Sequence, residues 1–175
     1  MEQYIEKIFQ KTKKTAQDYK DIYCLCLELR KTDVKTAVKY MVKLSAELEK
    51  VIVQSNNEKE VVELYGLYKQ VLLSAAPHHF ESYLLYVEWN REPEKKFYPP
   101  RRRVLNRVVN ELQKLEDDEL DLLAISLPPG SGKTTLAIFY LTWLAGKHPD
   151  EPMLTGSHSN SFVRGVYDEC LRILD

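Results

Sequence analysis

Residues 129–135 read Pro-Gly-Ser-Gly-Lys-Thr-Thr, and the residue types and their spacing suit the holding of a polyphosphate. Dense negative charge needs many donors at short range. Backbone N–H groups supply them where the chain curls around a phosphate, and Gly130 and Gly132, lacking a Cβ, permit the curl. Lys133 is a mobile cation able to reach the β- and γ-phosphates, which makes it the catalytic candidate. The Thr134 hydroxyl is a hard oxygen ligand for Mg²⁺, and Thr135 is placed for an α-phosphate oxygen. Pro129, with Pro128 before it, stiffens the entry to the loop, and Ser131 completes the cradle. The expected ligand is therefore ATP with Mg²⁺. The first position of the G-x-x-x-x-G-K-[ST] pattern is Leu127, where glycine is usual. The competing interpretation is a Gly/Ser turn with an incidental lysine.

Such a loop ordinarily sits at a strand-to-helix junction, the context that strengthens the match, and the flanking pattern predicts one. An apolar run (Leu122, Leu123, Ala124, Ile125, Leu127) reads as a strand over 121–127, and a helix follows from near Gly132 to about Lys147. His148-Pro-Asp-Glu-Pro reads as a turn. Met153-Leu-Thr-Gly begins a second short strand. The last helix, Ser161 to Leu174, is expected to bury Phe162, Val163, Val166, Tyr167, Cys170, Ile173 and Leu174. Strand, helix, strand, helix in that order implies an α/β fold with a parallel sheet and a right-handed crossover.

Upstream, a helix from about Arg101 to Leu115 turns Val104, Leu105, Val108, Val109, Leu112 and Leu115 inward. The segment from Glu92 to Pro100 is a boundary, its prolines at 93, 99 and 100 interrupting helical pattern. Residues 1–92 read as four amphipathic helices closing a small bundle. The apolar positions of the first (Ile5, Ile8, Phe9, Ala16, Tyr19, Tyr23, Cys26, Leu27) run through without a break, Asp33 caps the second, and Asn57 with Glu60 caps the third. The fourth follows Pro77. The expected organisation is thus an all-α domain over 1–92 and the start of a nucleotide-binding α/β domain over 97–175.

A hydrophobic fraction of 44%, a charged fraction of 29% and a net charge of −1 are ordinary for a water-soluble chain and exclude a generic polyanion binder. No run approaches the roughly 18 apolar residues of a membrane span, and the polar N-terminus is no signal peptide, so a cytoplasmic location is expected. Cys24 and Cys26 lie two apart on one helix and cannot chelate an ion together; both read as buried thiols. His78 and His79 read as polar residues near a helix start. Arg101, Arg102, Arg103 and Arg107 form a basic cluster that suits either a DNA backbone or a salt-bridged surface.

ATP hydrolysis also needs a carboxylate at the end of a later strand to hold Mg²⁺. No apolar strand in the chain ends in one. Asp168-Glu169 falls inside the last helix, and Asp117-Asp118 follows a helix. The 175 residues are therefore expected to be part of a longer protein, with little or no turnover of their own.

From about Phe80 onward the chain resembles the large subunit of tailed-phage terminases, the ATP-driven DNA-packaging motor. The residues that carry the resemblance are Tyr83-Leu-Leu-Tyr-Val-Glu-Trp-Asn-Arg, Phe97-Tyr-Pro-Pro-Arg-Arg-Arg-Val-Leu, Ala124-Ile-Ser-Leu-Pro-Pro-Gly-Ser-Gly-Lys-Thr-Thr and Gly156-Ser-His-Ser. In that family the first loop position is commonly not glycine, which fits Leu127. The resemblance implies an adenine-contacting segment upstream of the loop, matched here by Phe97, Tyr98 and Arg101; packing of the two aromatics against a helix is the equal alternative. Many members carry an arginine inside the loop, where this chain has Gly130 and Ser131. The resemblance further implies double-stranded DNA, a small terminase subunit docked on residues 1–80, a portal, and a homo-oligomer in the bacterial host cytoplasm. Two other possibilities are a helicase or clamp-loader type of ATPase, and a fragment that binds nucleotide or a partner without turnover.

Overall fold

The computed structural model describes residues 1–174, and every regular element among them is a helix or a single 3₁₀ turn. The α/β fold with a parallel sheet expected from the apolar runs is therefore overturned. Residues 122–128 and 152–157 carry no ladder. A strand is stabilised by the neighbour that takes its N–H and C=O groups, and an apolar run encodes burial, not that neighbour. Neither run even secures the burial: Leu122 is 84% exposed and Leu154 99%.

The chain divides into two compact units, Met1–Trp89 and Asn90–Asp175. The first holds α1 (Glu2–Phe9), α2 (Ala16–Arg30), α3 (Val34–Gln54), α4 (Glu58–Ala75) and α5 (Phe80–Val87). That makes five helices where apolar periodicity suggested four. Phe9 and Ala16 keep the helical phase, which hides the break, but Thr15 starts α2 afresh. Its hydroxyl accepts from the Asp18 N–H (3.3 Å) and its own N–H donates to the Asp18 carboxylate (2.8 Å), a reciprocal capping box. Lys11 also donates to Asp18, at 2.5 Å. That bond and those from Thr15 hold the carboxyl at a pKa of about 2.

Asp33 caps α3 as expected, accepting from the Thr36 N–H at 2.9 Å. His79 caps α5, its Nδ1 accepting from the Ser82 N–H at 3.3 Å. Asn57 stands at the N-cap of α4 without a side-chain bond, and Glu60 instead accepts from the Ser55 hydroxyl. The core stripe of α3 is Ala37, Met41, Leu44 and Leu48, at 4-3-4 spacing, and α3 packs on both α2 and α4. From α2 come Tyr19, Ile22, Cys26 and Leu29; from α4, Leu64, Leu67, Val71, Leu72 and Ala75. Cys26 is buried, and desolvation pushes its thiol up to about 12, whereas Cys24 is exposed, contrary to expectation.

The second unit contains the 3₁₀ turn Pro93–Lys95, α6 (Tyr98–Glu116), α7 (Lys133–Lys147) and α8 (Asn160–Leu174). Pro99 and Pro100, expected to interrupt helix, lie in the first turn of α6. The N–H groups there have no helical acceptor in any case, and proline's φ already suits the helix. At its other end α6 closes with Asp118 in the left-handed region (φ 58°) and the Glu119 N–H donating to the Lys114 carbonyl at 2.9 Å, a Schellman closure.

Leu105, Val109 and Leu112 of α6 are buried, but Val104, expected inside, is exposed. The Tyr140 hydroxyl donates to the Leu112 carbonyl at 3.1 Å and ties α7 to α6. Glu116 takes Lys147 and His148, each at 2.7 Å. Burial pushes the Glu116 carboxyl upward, yet these bonds and charges outweigh it and leave its pKa lowered. α8 packs on α7, with Phe162 and Tyr167 exposed where burial was expected; the expectation for the Leu174 side chain lies outside the described residues. Among the described residues no helix is long and apolar enough to cross a membrane.

Candidate phosphate-binding site

The loop before α7 is built from two backbone reversals. The Ser131 N–H donates to the Pro128 carbonyl at 3.3 Å across Pro129 and Gly130. Gly130 has φ +76°, so proline then left-handed glycine gives the central pair of a type II turn. Gly132 follows at φ +94° and is the N-cap of α7, with no side-chain cap. The first N–H groups of α7 thus face a helix start that no side chain closes. Glycine at 132 is required twice over. A Cβ there would stand 2.5 Å from Cε2 and 2.9 Å from Cζ of Phe97.

A cleft of about 490 Å³ is lined by Phe97, Arg101 and the continuous run 129–135. Of the residues singled out in the sequence, Pro129, Gly130, Ser131, Gly132, Lys133, Thr134, Thr135 and Arg101 come together there. Tyr98 does not: it is fully buried and lines no part of the cleft. Lys133 Nζ donates to the Leu127 carbonyl and, at 3.2 Å, to the Pro128 carbonyl, so the ammonium rests on the entry to its own loop. Thr134 and Thr135 are exposed. Among the described residues the Ser131 Oγ is buried without a hydrogen-bond partner, an arrangement that ordinarily costs about 1–3 kcal/mol.

Phe97 is the aromatic that reaches the loop. Its ring stacks on Phe139 (centroids 5.8 Å apart, planes at 20°), and the Arg101 guanidinium carbon lies 5.3 Å from its centroid. Arg101 Nη1 donates to the Phe97 carbonyl at 3.1 Å, one turn back along α6. The aromatic pair at 97–98 was legible in the sequence; which of the two faces Gly132 was not, because that depends on where α6 starts.

Among the described residues no group of three or more His, Cys, Asp or Glu side chains is placed to hold a metal ion. The oxygen donors of the cleft suit Mg²⁺ bound together with phosphate: the Thr134 hydroxyl offers one hard ligand, and Mg²⁺ ordinarily keeps waters and phosphate oxygens for the others. Fold and loop together describe a helical protein whose glycine-turned loop opens an uncapped helix beside two cations. In comparison with known proteins, no family model, no curated protein and no solved structure matches the chain.

Proposed function

We propose that this chain is the ATP-binding part of a DNA-packaging motor of the terminase type. Its N-terminal helices would serve as docking module for the small subunit, with double-stranded DNA, the portal and further copies of the chain as the other partners. The observation that carries the nucleotide half is the loop itself. Left-handed Gly130 and Gly132 lead into the bare N-terminus of α7, with Lys133 in the mouth and an orphaned hydroxyl at Ser131. The motor half is supported by the Phe97–Leu105 and Ala124–Thr135 segments that resemble the family.

On binding, Lys133 would exchange the Leu127 and Pro128 carbonyls for phosphate oxygens, and the α7 N–H groups would donate to the same anion. Mg²⁺ held by Thr134 would neutralise the charge between the phosphates. A second reading, binding without turnover, is favoured by the absence of any carboxylate among the residues lining the cleft.

Titration calorimetry tests the nucleotide half: Mg²⁺-ATP binds the wild type, and Lys133→Ala loses at least about tenfold in affinity, the loss of one charge-assisted bond. Equal binding by the variant refutes it. For the motor half, Lys133→Ala in the native gene should stop DNA packaging while capsids still assemble; undiminished packaging would count against it.

A further inference from the structure

Given the phosphate-binding reading of the loop, we infer that this cleft recognises the polyphosphate and not the base, and that Arg101 is its second cation. Base recognition commonly relies on an aromatic face on which the base can stack. Apart from the loop, Phe97 and Arg101 are all that line the cleft, and the Phe97 ring is already spent. One face lies along Phe139, the Arg101 guanidinium stands over the ring, the Cε2–Cζ edge closes on Gly132, and 9% of the residue remains exposed. Tyr98, the neighbouring aromatic, is fully buried. The upstream segment therefore braces the loop and offers no platform for adenine.

Arg101 has the opposite character. It is exposed, and among the described residues it has no carboxylate partner. One of its five N–H donors is used, on the Phe97 carbonyl. Its Cδ lies 3.6 Å from the position a Gly132 Cβ would take, which sets the guanidinium beside the start of α7, one residue from Lys133. Two cations, an uncapped helix N-terminus and no acid in the lining make a field for anions. The planar fork of a guanidinium then matches two oxygens of one phosphate. The Ser131 Oγ, buried and without a hydrogen-bond partner among the described residues, belongs to the same loop. The ligand class is the triphosphate end shared by nucleoside triphosphates and by inorganic triphosphate.

The test measures affinities of Mg²⁺-ATP, Mg²⁺-GTP and Mg²⁺-inorganic triphosphate for the wild type, Arg101→Gln, Arg101→Lys and Lys133→Ala, with each variant's circular dichroism and melting temperature. The wild type is expected to bind all three within about threefold. Arg101→Gln should weaken all three by the same factor, on the order of 10- to 100-fold, and Arg101→Lys by a smaller common factor. Should the glutamine variant fail to fold, the lysine variant carries the comparison. A wild type that prefers ATP to inorganic triphosphate by tenfold or more shows that the base is recognised, and an Arg101 variant that loses ATP alone places the base on Arg101; either result overturns the inference. Wild-type-like binding by a folded Arg101→Gln overturns it as well. If the wild type binds none of the ligands, or Lys133→Ala binds them all normally, the phosphate-binding reading itself falls.

Discussion

Gly130 and Gly132 both have positive φ, yet alanine should cost very different amounts at the two positions. At Gly130 (φ +76°) an added Cβ meets nothing within 4 Å. The penalty is then conformational alone: left-handed strain of about 1–2 kcal/mol, reduced by the smaller entropy of the unfolded alanine chain, about 0.4–1 kcal/mol. The net is about 1 kcal/mol. At Gly132 (φ +94°) the same strain is joined by contact with Phe97 at 2.5 and 2.9 Å. The ring cannot simply step aside, because Phe139 backs it at 5.8 Å. Overpacking of a closed site adds about 1–3 kcal/mol, so Gly132→Ala should cost about 2–4 kcal/mol. The chain has two tryptophans, so a Trp89→Phe background leaves buried Trp143 on α7 as the sole reporter of urea unfolding. Phe97→Leu removes the ring edge and should return the cost of Gly132→Ala to about 1 kcal/mol, a coupling of at least about 1 kcal/mol in the double-mutant cycle. If Gly132→Ala is no worse than Gly130→Ala, or its cost is unchanged in the Phe97→Leu background, the brace between Phe97 and the loop is refuted.

Leu44 is fully buried on the central helix of the first unit, and Leu44→Ala should lower its unfolding free energy by about 2–5 kcal/mol, read from the urea midpoint at constant slope. Asp18 has a folded pKa of about 2 against 3.8 for the unperturbed group. Its stabilising contribution is therefore present above about pH 4 and lost as pH falls toward 2; Asp18→Asn should flatten that part of the acid-unfolding profile, and an unchanged profile would discount the capping box. Cys24 is exposed while burial holds the Cys26 thiol at about 12. Iodoacetamide at pH 8 should accordingly label Cys24 in the native state and Cys26 only after unfolding, as intact-mass and peptide analysis can show.

The helices were legible where amphipathic spacing and a cap agreed, as at Asp33; His79, read only as a polar residue near a helix start, proves to cap α5. Reading failed where one signal had two physical origins. Phe9 and Ala16 stay in phase across the α1–α2 break, so the apolar pattern ran through it, while the start of α2 was written in Thr15-x-x-Asp18. Pro99 and Pro100 interrupt the interior of a helix but open its first turn, and sequence alone did not say which applied. The apolar residues of 121–127 were visible, but a ladder depends on a neighbouring strand, and the described residues supply none. In the cleft, the glycines, the lysine and the two threonines followed from their chemistry. That Lys133 rests on the Leu127 and Pro128 carbonyls, and that Phe97 closes on Gly132, depends on how the loop meets the start of α6 in space.

The segment 121–127, without regular structure, has a practical consequence on the hydrogen-exchange timescale. No N–H of residues 121–127 finds an acceptor among the described residues, so these amides should exchange at the rate of a free peptide, while those in the middle of α7 wait for the helix to open. Deuterium uptake therefore splits this stretch of chain into a fast reporter and a slow one on either side of Gly132. A ligand that merely contacts the N-terminus of α7 leaves the fast side untouched. One that gives the 121–127 backbone a partner slows that side first, and the two modes of binding can be told apart in a single experiment.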